Sequence, residues 1–124
     1  MSDEYVLVPD EREQNMIIEQ MSIEVPQGKK QQLGSALASF VGPTQVAPGC
    51  LSCSLSESWT NPDELRFESR WSSEDDLIRH LKSDSYKQLL LLMELSSVPP
   101  QIEFFAVVKA QGLDLVESAR STPI

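Results

Sequence analysis

A period of two is the feature that most narrows the fold. In "MIIEQMSIEV", residues 16–25, the side chains of Ile17, Met21, Ile23 and Val25 fall on one side of an extended chain, and Gln20, Ser22 and Glu24 fall on the other. Glu19 interrupts the apolar row; the pattern allows a buried acid, and a place at the strand's exposed end is the preferred expectation. The same period recurs at residues 50–58, where Leu51, Cys53 and Leu55 oppose Ser52, Ser54, Ser56 and Ser58. It recurs at 65–71, where Leu65, Phe67, Ser69 and Trp71 oppose Arg66, Glu68 and Arg70, and at 101–108, where Ile102, Phe104 and Ala106 alternate with Phe105 and Val107. "TNPDE" places Pro62 and Asp63 in a turn between the second and third of these segments, which makes them an antiparallel hairpin.

Between the strands the spacing becomes helical. "KKQQLGSALASFVG" sets Leu33, Ala36, Leu37, Phe40 and Val41 on one stripe, and Gly42 with Pro43 stops it. "SSEDD" supplies Ser72 or Ser73 as a cap and acidic residues for the first turn of a short helix running to about Lys82. "SDS" caps a second helix with Tyr86, Leu89, Leu90 and Met93 on a shared face and further leucines beside it, a surface wide enough for an intermolecular contact. The order strand, helix, strand, strand, helix, strand predicts an α+β fold, a ferredoxin-like βαββαβ domain with a four-stranded antiparallel sheet covered by helices on one face. Its limits are residues 16–109, after a flexible arm at 1–15 and before a tail at 110–124 in which "LDLV" reads as one short strand. Dimerisation would cover the open sheet face.

Charge and cysteine usage exclude several functions. A formal net charge of −9 argues against nucleic acid or an anionic membrane surface as partner. "LLLLMEL" is far short of the roughly 20 apolar residues of a membrane span. The acidic start resembles no export signal, so the expected compartment is the cytoplasm. Cys50 and Cys53 form a C-x-x-C, but residues three apart on a strand face opposite sides, and His80 is the single histidine, so ordinary thiols are expected rather than a metal or redox pair.

The stretches "APGCLSCSL" and "RFESRWSSEDDLIRHLKSDSYKQLL" resemble the antibiotic biosynthesis monooxygenase family of dimeric α/β barrels, over residues 17–108. The residues that carry the resemblance are Trp71 at the end of the third strand, the cap Ser73, His80 with Leu81, Ser83 and Tyr86, and Pro48 with Gly49 before the second strand. The resemblance implies a homodimer and an oxidation of small aromatic molecules, quinol or anthrone-like, by O₂ with no metal, flavin or other cofactor. In that chemistry a phenolic substrate loses a proton and the anion reduces O₂ directly.

The implied catalytic residue is His80, whose ordinary pKa lies near neutrality. Trp71, Tyr86, Phe67 and Leu90 are the implied substrate-binding residues, Trp71 by stacking on a flat ring and Tyr86 by donating a hydrogen bond. The match has gaps. Phe67, Leu77 and Leu91 stand where anthrone-oxidising relatives carry asparagine, tyrosine and arginine, and Ser69 stands where many relatives carry glutamate. Leu90 and His80 occupy the positions of the axial histidine and the tryptophan of a haem-degrading branch, and leucine cannot ligate iron. These gaps keep open an alternative, a non-catalytic dimeric module that binds a small ligand or scaffolds.

Overall fold

The computed structural model describes residues 15–121, so all but the last residue of the expected arm lies outside the described residues, as do positions 122–124. Strand β1 spans Met16–Glu24, helix α1 Lys30–Ala38, helix α2 Val41–Gln45, β2 Cys50–Glu57 and β3 Glu64–Trp71. Helix α3 spans Glu74–Leu81, α4 Asp84–Met93, β4 Gln101–Val107 and α5 Leu113–Ser121. The strands form one antiparallel sheet in the order β2-β3-β1-β4, the ferredoxin-like arrangement expected from the element order.

Period two explains which face is buried. Along β1 and β3 every second residue is buried, and Ile17, Met21 and Ile23 stand in register with Trp71, Phe67 and Leu65. Against this face pack Leu33 and Leu37 of α1 and Tyr86, Leu89 and Met93 of α4. The opposite face carries a charged ladder, with Arg66 paired to Glu64 at 3.2 Å, Arg70 to Glu68 at 3.1 Å, and Gln20 donating to Glu68 at 3.2 Å. The serines of β2 join it, because Ser52, Ser54 and Ser56 lie opposite Arg70, Glu68 and Arg66.

Four expectations are corrected. The first helical stripe is divided: α1 ends at Ala38, and Pro43 lies inside the first turn of α2, where a missing N–H costs no helical hydrogen bond. The tail segment "LDLV" lies in helix α5 rather than a strand, and no residue of that helix is buried. In β2 a bulge between Cys50 and Ser52 breaks the alternation, leaving Leu51 57% exposed. Cys50 then pairs with Trp71 and Cys53 with Ser69, so the extra residue puts both cysteines on the helix-covered face instead of on opposite ones. Lastly, Glu19 does not sit at an exposed strand end; it is 1% exposed, in mid-strand between Ser69 of β3 and Phe104 of β4.

Candidate functional site

Two serines position the histidine. Ser73 caps α3 by accepting from the Asp76 N–H at 3.2 Å, with Glu74, Asp75 and Asp76 in the first turn. Ser83 then joins two helices: its Oγ accepts from the Tyr86 N–H at 3.2 Å and donates to the His80 carbonyl at 2.7 Å. The elbow between α3 and α4 is thereby fixed, and His80 and Tyr86 both turn toward the sheet and are buried.

Beneath the elbow the structure builds a polar chain inside the apolar layer. Trp71 Nε1 donates to Ser69 Oγ at 2.8 Å, Ser69 Oγ donates to Glu19 Oε1 at 3.1 Å, and the Tyr86 hydroxyl donates to Glu19 Oε2 at 2.6 Å. The His80 ring stacks on Trp71, with centroids 4.4 Å apart and planes at 27°, and meets Tyr86 edge to face at 5.1 Å and 73°. His80 Nε2 is buried and has no hydrogen-bond partner among the described residues. A buried polar atom left unpaired costs about 1–3 kcal/mol, so it calls for an explanation outside the core's own packing.

Burial sets the electrostatics. It pushes the Glu19 carboxyl above the ordinary carboxylate range, and the hydrogen bonds from Tyr86 and Ser69 pull it part of the way back. It holds His80 below its ordinary value of 6.5, so the imidazole is neutral at pH 7. The Tyr86 hydroxyl is pushed up, first by burial and then by its bond to Glu19. Burial, with the neighbouring Cys50 as a second cause, moves the Cys53 thiol up to about 12, and burial also raises Cys50, so neither cysteine is an activated nucleophile. A neutral imidazole in a water-poor setting can exchange a proton at Nε2 and accept or donate one hydrogen bond there.

Of the residues singled out in the sequence, His80, Trp71 and Tyr86 meet in this cluster. Phe67 lies further along the β3 row, in the core beside Met21, Tyr86 and Leu89. Leu90 does not join them; it is 37% exposed, outside the face shared by Tyr86, Leu89 and Met93. The Tyr86 hydroxyl, expected to donate to a substrate, is buried and already donates to Glu19, and one face of Trp71 is taken by His80. Leu77 packs with Ile17 and Trp71, whereas Leu91 is 52% exposed. Glu19 and Ser69 are the members not named as site residues from the sequence. The available signal was a pair of polar residues interrupting two apolar rows, which becomes a cluster only once the strand register is known. Among the described residues no group of three or more His, Cys, Asp or Glu side chains is placed to hold a metal ion.

An antiparallel four-stranded sheet in the order β2-β3-β1-β4 with helices packed on one face defines a ferredoxin-like class of small α+β proteins, and comparison with known proteins gives the family. The sequence profile of the antibiotic biosynthesis monooxygenase family matches residues 16–90, more than half of the chain, and the chain belongs to that family. Several solved structures share the fold. A candidate antibiotic biosynthesis monooxygenase from Deinococcus radiodurans is 16% identical, with 77% of this chain and 96% of that one covered at a TM-score of 0.71. One from Bordetella bronchiseptica is 24% identical, covering 77% and 100% of the two chains at 0.64. A conserved protein from Methanosarcina mazei is 23% identical, covering 77% and 96% at 0.70. No curated protein sequence matches the chain.

Proposed function

We propose that the protein is a homodimeric, cofactor-independent monooxygenase that oxidises small aromatic substrates of quinol or anthrone type with O₂. The observation that carries this reading is the unpaired, buried Nε2 of His80 between Trp71 and Tyr86. Family membership supplies the reaction class, and the neutral imidazole supplies a base for the acidic proton of the substrate. With an anthrone the balance is simple: one oxygen atom of O₂ converts the ring CH₂ to C=O, and the other leaves as water with both hydrogens. The substrate provides all four electrons.

The test is oxygen consumption by the full chain with a series of quinols and anthrones, alongside the His80→Ala variant. Turnover that falls at least about 100-fold in His80→Ala, with the fold and association state retained, supports the proposal. An absence of uptake across the series sinks it. A second reading, a small-ligand-binding module without turnover, is favoured by the tightness of the cluster, since Trp71 and Ser69 are 0% and Glu19 is 1% exposed and the donors of Trp71 and Tyr86 are spent within the protein. Saturable quenching of tryptophan fluorescence by the same compounds, with no uptake, would select that reading.

A further inference from the structure

We propose that Glu19 is the positioning residue of His80: one buried carboxyl ties down both aromatic rings between which the imidazole is held. The observation is a convergence. Each ring touching His80 carries one polar atom, Nε1 of Trp71 or the hydroxyl of Tyr86, and both atoms lead to Glu19. The path from Trp71 runs through Ser69 Oγ to Oε1, and the path from Tyr86 runs directly to Oε2. A hydrogen bond at the far end of a ring restricts the torsion that packing leaves soft. With both far ends fixed to one carboxyl, the spacing of the two walls around His80 is set by β1, a central strand paired on both edges.

Glu19 acts through these rings rather than on the imidazole. The groups facing it are the Tyr86 hydroxyl from α4, Ser69 from β3 and, by its charge, the Cys53 thiol from β2; its partner on β4 is the uncharged Phe104. The low proton affinity of His80 comes from burial, and the charge of Glu19 is not among its causes. Loosening the walls therefore admits water and moves the titration of His80 upward, toward 6.5. A role exerted through the charge of Glu19 would move it downward, because the loss of a nearby carboxylate disfavours the imidazolium.

His80 is the only histidine in the chain, so its ring protons give an isolated NMR titration that is independent of any activity. Glu19→Gln preserves size, but its amide oxygen replaces only one of the two acceptor atoms; Ser69→Ala and Tyr86→Phe each cut one path. The His80 midpoint is expected to rise by about 0.5 pH unit or more in Glu19→Gln and by less in each single-path variant. An unchanged or lowered midpoint in folded Glu19→Gln overturns the proposal. Should Glu19→Gln fail to fold, the other two variants decide: a rise in both supports the clamp, and a rise in one or neither overturns it.

The kinetic expectation, a fall in kcat with KM held within about twofold, rests on the monooxygenase reading. The two readings separate cleanly. A shifted titration without oxygen uptake in any variant sinks the monooxygenase and leaves the clamp standing, and uptake with an unshifted titration does the reverse.

Discussion

At the scale of single residues, the burial of His80 fixes a pH dependence. Its pKa is depressed in the folded protein, so the imidazole stays neutral, and able to act as a base, below 6.5. The acid limb of kcat/KM is expected to fall at a pH below 6.5, where His80 finally protonates; an acid limb above neutrality would assign the base elsewhere. The sequence made His80, Trp71 and Tyr86 visible because their types and spacing are uncommon. It concealed Glu19, since a lone acid in an apolar row is ordinarily an exposed one. Only its register with Ser69, and the arrival of Tyr86 from a helix far along the chain, make burial tolerable.

Among the elements, β2 and α3 meet more closely than their sequences suggest. Gly49 adopts φ +82°, its carbonyl accepts from the Ser72 N–H at 2.9 Å, and a Cβ there would lie 2.2 Å from Cγ of Asp76. Gly28 has a similar φ of +81° with nothing within 4 Å of a built Cβ. The pair separates backbone strain from steric contact. Gly28→Ala is expected to cost about 1 kcal/mol, and Gly49→Ala at least about twice that, measured by urea unfolding; equal losses would show that the approach to Asp76 relaxes without cost. Strand and helix types were legible from periodicity because one buried face imposes it. The bulge at Leu51 and the helical tail were not. A bulge changes no residue type, and "LDLV" satisfies both periods over so short a stretch.

For the whole molecule, α1 and α4 pack on one face of the sheet. The other face presents Ile18 and Phe105 side by side, next to the Arg66, Glu68 and Arg70 ladder, and Phe105 is 44% exposed. Association of two copies over this face is the expected outcome. Sedimentation should show a dimer at micromolar concentration, and Phe105→Glu should shift it toward monomer; a stable monomer of the unaltered chain would remove the basis for this arrangement. The fold class could be anticipated because element order and face polarity suffice for it, whereas pairing between chains depends on a surface that no periodicity describes.

The orphaned nitrogen of His80 also has a consequence for stability. A leucine of similar volume at that position would need no partner, so His80→Leu should raise Tm by about 4 °C, the equivalent of roughly 1 kcal/mol for a chain of this size. The advantage should widen as pH falls below 6.5, because the unfolded imidazole protonates there while the folded one resists. Calorimetry at two pH values would check both the sign and the trend. A chain optimised for folding alone would carry an apolar side chain here, so the buried imidazole stands as a local cost to stability.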